Sequence, residues 1–151
     1  MESEINLSGN VQSETPPSTA TTASKAERRK RIWYWVTTGL LAFGMFAGGF
    51  AQFIHVKVNT DGFIHLGYPL YTMSLIGGWK MAGVVVLLLP GYRLLKEWAY
   101  AGFFFLLTGA VTSHIASGDA FLLWVAPLVF SILTVLSWYL RPANRRLVQP
   151  A

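Results

Sequence analysis

Four long apolar runs, separated by short polar segments, constrain this chain more than any other feature of its sequence. The runs cover about residues 32–54, 70–89, 98–116 and 121–140. A bilayer core about 30 Å thick is crossed by roughly 20 helical residues, which each run supplies. Because 53% of the residues are hydrophobic and only 13% are charged, the sequence predicts an all-α membrane protein, a four-transmembrane-helix bundle.

Polar tails flank the four runs. Residues 1–31 are dominated by Ser, Thr, Pro and charged side chains, and they bury too little apolar surface to offset the entropy of ordering. We therefore predict a disordered N-terminal tail, a membrane domain over residues 32–142 and a short C-terminal tail over residues 143–151. The first run is interpreted as an uncleaved membrane anchor, because residues 1–31 are polar and lack the apolar stretch of a cleavable signal peptide.

The basic residues are distributed unevenly along the chain. They collect in residues 25–31, in the connection that holds Arg93 and Lys96, and in residues 141–146, whereas the other two connections carry only Lys57. Lysine and arginine accumulate on the cytoplasmic side of membrane spans. The pattern predicts a multi-pass protein of the inner or plasma membrane with both termini in the cytoplasm. It also favours contact with the lipid bilayer over contact with nucleic acid.

One charged side chain, Lys80, lies near the middle of the second run. A lysine at that depth costs about 2.5–3.5 kcal/mol on insertion scales. Thr108 and Ser131 are expected at a similar depth, and no carboxylate is expected there. Lys80, Thr108 and Ser131 are therefore the candidate ligand-binding residues. Either Lys80 is a core residue that hydrogen-bonds to hydroxyls and carbonyls or sheds its proton, or it binds an anion or a carbonyl, such as that of a quinone.

The three histidines all fall at the outer ends of the predicted helices or in the first outer connection. His55, His65 and His114, together with Asp119, are the candidate residues of this outer rim. Histidines near carboxylates can bind metal, but the spacing matches no metal motif, so no metal site is predicted. Unperturbed histidines would titrate near pH 6.5.

Two further patterns predict structural roles. Glu97 is expected at the start of the third helix, where a carboxylate complements the positive end of the helix dipole. Gly44 and Gly48, and likewise Gly78 and Ala82, are spaced four residues apart. Such spacing lets helices approach closely in a membrane.

The sequence holds no catalytic constellation of its own. It contains no Gly-rich phosphate loop and no Ser–His–Asp arrangement, and it has no cysteine. Disulfides, thiolate nucleophiles and thiolate-bound iron–sulfur clusters are thereby excluded from this chain.

Four stretches carry a family resemblance: "LGYPLY" (66–71), "LKEWAYAGFFF" (95–105), "TGAVTSHIASGD" (108–119) and "SWYLRP" (137–142). Together they resemble the DoxX-like family of small four-helix membrane proteins over about residues 32–142. The resemblance identifies the family's second-helix lysine with Lys80. It places the family's inner motif on Lys96, Glu97 and Trp98, and a second motif on Ser113 and His114.

The resemblance implies a function only in outline. The family is named after a small membrane subunit associated with quinone-linked oxidation of sulfur compounds. The resemblance therefore implies that this chain is an accessory or scaffold subunit with an oxidoreductase partner. The alternatives are a structural or stress-related membrane protein without a ligand, and a small-solute or anion carrier that works as a homo-oligomer. One departure is Leu106, at a position where many relatives carry a polar or acidic residue.

Overall fold

The computed structural model describes residues 17–147, which contain helices and no strand. The helices are α1 (Pro17–Phe53), α2 (Lys57–His65), α3 (Leu70–Leu88), α4 (Arg93–Ala116) and α5 (Phe121–Leu140), followed by a 3-10 turn (Ala143–Arg145). Helices α1, α3, α4 and α5 are long and apolar enough to cross a membrane. The predicted all-α, four-span architecture is thereby confirmed. Residues 1–16 and 148–151 of the predicted tails lie outside the described residues.

Helix α1 extends well before the apolar run. It begins at Pro17, whereas the sequence predicted a disordered tail up to residue 31. The segment "ASKAERRKR" is rich in strong helix formers, and proline is tolerated in a first helical turn. The side chains of residues 24–32 are all exposed. The extension is therefore a continuation of the membrane helix, and its residues 24–31 contribute nothing to the buried core.

Helix α2 was not predicted. The sequence predicted a connection without helix between the first two spans, but residues 57–65 form a nine-residue helix with no buried side chain. Lys57 Nζ and Asp61 Oδ2 are 2.7 Å apart across one turn. The helix lacks the apolar periodicity that identifies an amphipathic helix, which is why the pattern of its sequence does not reveal it.

Consecutive spans run in opposite directions and give the bundle two chemically different ends. The basic end holds the start of α1 at the bundle surface, the α3–α4 connection and the end of α5. The histidine end holds α2 and the α4–α5 turn. Helix α1 packs mainly against α3 and α5, and α4 packs mainly against α5. The contact between α3 and α4 is less extensive.

A core of buried side chains lies between α1, α3 and α4. Its members are contributed by one stripe of each helix, so the helices present a single apolar face to one another. The buried cluster comprises Leu41, Ala42, Met45, Val84, Leu87, Tyr100, Phe103 and Leu107.

A close backbone approach joins α1 and α3 at two glycines. A Cβ atom on Gly77 would lie 2.5 Å from the carbonyl oxygen of Gly49 and 2.9 Å from the amide nitrogen of Phe53. Of the small residues singled out from the sequence, Gly44 faces the Phe130 ring, whereas Gly48 has open space around it. The glycines that pack α1 against α3 are therefore Gly49 and Gly77. Each lies one residue from a predicted position, Gly48 or Gly78.

Substituting Gly77 by alanine should destabilise the bundle, because the new methyl group meets backbone atoms that cannot rotate away. We expect a loss of about 1–3 kcal/mol, as for other overpacked sites. Gly78→Ala is the matched control, since a Cβ atom there has nothing within 4 Å. Reversible unfolding in mixed micelles would measure the free energy of unfolding of each variant. Equal stability of the two variants would contradict this packing.

Candidate functional site

A groove between α3 and α4 surrounds Lys80. It encloses about 380 Å³. The contact between α3 and α4 is less extensive than the contacts between the other neighbouring spans. The Phe103 ring rests on Gly83, where a Cβ atom would come within 2.7 Å of the ring. The lining from α3 is Ile76, Trp79, Lys80, Ala82, Gly83 and Val86, and that from α4 is Leu95, Trp98, Ala99, Gly102, Phe103 and Leu106.

Lys80 brings the one charged group to this lining. It lies ten residues after the first residue of α3 and eight before the last, so it is close to mid-depth at 1.5 Å per residue. Its side chain is half-buried. Within the described residues, its amine has neither a hydrogen-bond partner nor an ion-pair partner. Trp79 and Trp98 are 69% and 66% exposed, so the groove opens sideways toward lipid and not into a closed interior.

Thr108 and Ser131 do not join Lys80. The Thr108 hydroxyl donates to the Phe104 carbonyl of its own helix at 2.8 Å, and the Ser131 hydroxyl is buried in the bundle without a partner among the described residues. Neither residue lines the groove. The sequence placed them at similar depth by counting along each helix, but the register of α4 brings Gly102 and Leu106 opposite Lys80 instead.

Lys96 sets that register. Its side chain is 1% exposed, and its amine donates to the carbonyl oxygen of Val86 at 2.6 Å and to that of Leu89. The carbonyl of Val86 would normally accept from the amide four residues later, but that residue is Pro90, which has no N–H. Lys96 thus replaces a backbone donor at the end of α3.

Glu97 pairs with α5. Its carboxylate accepts from Arg141 Nη2 at 2.7 Å and from Trp138 Nε1 at 2.8 Å. The prediction that Glu97 complements a helix dipole was wrong, since α4 begins at Arg93 and its first turn contains no acidic residue. Arg141 is 3% exposed, so Glu97 neutralises a buried guanidinium.

A hydrogen-bond network that was not predicted from the sequence lies behind this pair. The Ser137 hydroxyl lies 2.7 Å from that of Thr38 and 2.8 Å from that of Tyr100, and all three side chains are buried. Arg145 Nη1 donates to the Leu87 carbonyl at 3.2 Å. The three-residue spacing of Ser131, Thr134 and Ser137 is the one sequence feature that could have revealed this polar face of α5.

Glu97→Gln should destabilise the protein, because glutamine keeps an acceptor for Trp138 but leaves the buried Arg141 charge uncompensated. Breaking a fully buried pair costs about 3–5 kcal/mol; Glu97 is a quarter exposed, so we expect about 2 kcal/mol. Glu27→Gln, at an exposed position, is the control. The loss should shrink in an Arg141→Met background; an unchanged loss there would show that the charge pair is not its cause.

The histidine end brings three predicted rim residues together and leaves one apart. Asp119 Oδ1 lies 2.7 Å from His65 Nε2, and Asp119 Oδ2 lies 2.7 Å from His114 Nδ1. His55 instead pairs with Ser74 at 2.6 Å. Asp119 is held in place by the end of α4, where its amide donates to the His114 carbonyl and Gly118 adopts a positive φ of 72°, as in a Schellman motif.

The Asp119 bridge ties α2 to the α4–α5 turn. The hydrogen bond from His114, and then that from His65, lower the pKa of the Asp119 carboxyl below its ordinary value of 3.8. Among residues 17–147, no group of three or more histidine, aspartate or glutamate side chains could hold a metal ion. The geometry supports a tether between helices.

The tether makes stability depend on pH in the acid range. Because the folded-state pKa of Asp119 is lowered, its contribution is fully present above the unfolded-state pKa, near 3.8, and is lost as the pH falls through the folded-state value. We expect Asp119→Asn to be less stable than the wild type at neutral pH and the difference to vanish in strong acid. Asp61→Asn is the control, and pH-dependent unfolding is the measurement. A difference that persists in acid would contradict the role of the carboxylate.

These features define the class: a polytopic α-helical membrane protein with a groove between α3 and α4 that opens toward lipid. The model of the DoxX-like family matches residues 36–137, about two thirds of the chain. The chain belongs to the DoxX-like family. No curated protein and no solved structure that was compared with it matches.

Proposed function

We propose that this protein is an accessory or scaffold subunit of a quinone-linked redox system and that it holds the quinone in the α3–α4 groove. The carrying observation is Lys80, an unpaired amine at mid-depth in a groove of about 380 Å³. A side chain this costly to bury is a functional candidate by default in a membrane helix. The family match supports the membrane setting.

The groove suits a flat, lipid-soluble molecule with one hydrogen-bond acceptor. Its walls are apolar or aromatic, which favours a quinone ring. The Lys80 amine would donate to a quinone carbonyl, and the opening between Trp79 and Trp98 faces the hydrocarbon in which quinones dissolve. The chain has no cysteine, which removes thiolate-bound redox centres, and the proposal places the redox centre in a partner oxidoreductase.

The basic end is proposed to face the cytoplasm. Every lysine and arginine except Lys57 and Lys80 lies at that end or in the tail that leads to it, which is the distribution that the positive-inside rule describes. Both termini then lie in the cytoplasm, and the membrane is the inner or plasma membrane. Gly78 has open space and Ala82 is exposed, which leaves α3 able to pack against a helix of the partner or of a second copy.

Lys80→Met should remove quinone binding without unfolding the protein. A hydrogen bond to a charged donor is worth about 1.5–3 kcal/mol, so the variant should bind at least about tenfold more weakly. Photolabelling by a light-reactive quinone analogue in nanodiscs, followed by peptide mapping, would measure this. Lys57→Met is the control, because Lys57 lies outside the groove in α2.

Two outcomes would favour the other readings of the family resemblance. Unchanged quinone labelling together with increased stability of Lys80→Met would favour a structural protein without a ligand, because a costly amine would have been removed. Flux of an anion through liposomes that depends on Lys80 and needs no partner would favour an oligomeric carrier. Either result would contradict the quinone-binding role.

A further inference from the structure

We infer that Lys80 also forms a reversible covalent link, an imine, with long-chain aldehydes that dissolve in the membrane. This inference rests on the proposed function, because it uses the same groove. It differs in naming a second class of ligand and a bond to carbon in place of a hydrogen bond.

Lys80 differs from the other lysines of the described chain in what surrounds its amine. Lys57 pairs with Asp61 at 2.7 Å, and Lys96 donates to two carbonyls. Lys30 lies over the Tyr139 ring, and Lys25 is exposed to water. Lys80 alone combines a free amine with apolar walls, the setting in which lysines serve as nucleophiles toward carbonyl carbon.

The groove selects a neutral ligand. Apart from Lys80, its lining is apolar and aromatic, so an anionic group brought to mid-depth would find one donor and lose its hydration. Because the opening between Trp79 and Trp98 faces lipid, a ligand has to partition into the bilayer before it reaches Lys80. A carbonyl carried on a long apolar chain meets both conditions.

The chemistry needs no further reagent. The Lys80 ammonium first gives one proton to water. The lone pair of the resulting neutral nitrogen attacks the aldehyde carbon, and a carbon–nitrogen bond forms while the carbonyl π bond opens. The two hydrogens of the amine then leave with the carbonyl oxygen as one water molecule, and a carbon–nitrogen double bond remains. No electron is gained or lost, and addition of water reverses the link.

The test compares two aldehydes on the full-length protein in nanodiscs. Hexadecanal, which dissolves in lipid, or propanal, which dissolves in water, is added together with cyanoborohydride, which reduces the imine and spares the free aldehyde. Peptides are then mapped by mass spectrometry. Hexadecanal should label Lys80 about tenfold more than Lys57, because the groove concentrates it beside the amine. Propanal should label Lys57, whose side chain is 87% exposed, at least as well as Lys80.

Two glycines of α4 provide a matched pair of variants that keep Lys80. Gly102 lines the groove with nothing within 4 Å of a Cβ atom, so Gly102→Leu should fill the groove and abolish the preference for Lys80. Gly109 has the same open surroundings but lies outside the groove. Gly109→Leu should label like the wild type, and Lys80→Arg should remove the adduct at residue 80.

Equal labelling of Lys80 and Lys57 by hexadecanal, or labelling of Lys57 alone, would overturn the inference. So would a Gly102→Leu variant that is folded and still labelled at Lys80. Quinone photolabelling of the same samples separates the two proposals. Quinone labelling without a Lys80 imine would leave the quinone site standing and reject the aldehyde, whereas an imine without quinone labelling would do the reverse.

Discussion

The end of α3 is the constraint on which the rest of the bundle depends. A helix that stops at a membrane boundary leaves its last carbonyls without partners, and Pro90 removes one of the amides that would have served them. Lys96 from α4 and Arg145 from the C-terminal segment supply the missing donors. Cations are also favourable at the negative end of a helix dipole. Two segments are thereby fixed to the same helix terminus.

The contacts of Lys96 with the end of α3 fix the register of α4. That register determines which α4 residues lie near the middle of the membrane. Counting from this contact, Gly102, Phe103 and Leu106 come to lie along the groove that contains Lys80. Leu106, an apolar residue, lines the same groove as Lys80, and no carboxylate is among the residues of that lining. The register of α4 therefore brings no counter-ion to the groove that holds the Lys80 amine.

The four spans could be predicted because membrane helices are marked by length and hydropathy alone. Part of the histidine end could be predicted too, since the "SGD" turn places Asp119 beside His114. The roles of Lys96 and Arg141 could not be predicted, because the sequence identified both as cytoplasmic flanking charges and the family resemblance named Lys96 without giving it a role. Their burial depends on partners from other helices: carbonyls at the end of α3, and Glu97 in the second turn of α4. Helix α2 was missed because it buries no side chain.

Two lysines of this protein, Lys80 and Lys96, lie away from water but differ in whether the chain supplies hydrogen-bond partners to the amine. The amine of Lys96 is buried and meets two carbonyls, so its burial stabilises the helix end and needs no ligand to explain it. The amine of Lys80 sits in an apolar groove and meets none among the described residues, so its cost is not offset within the chain. Lys96 is therefore architectural, and Lys80 is the residue whose presence calls for a function.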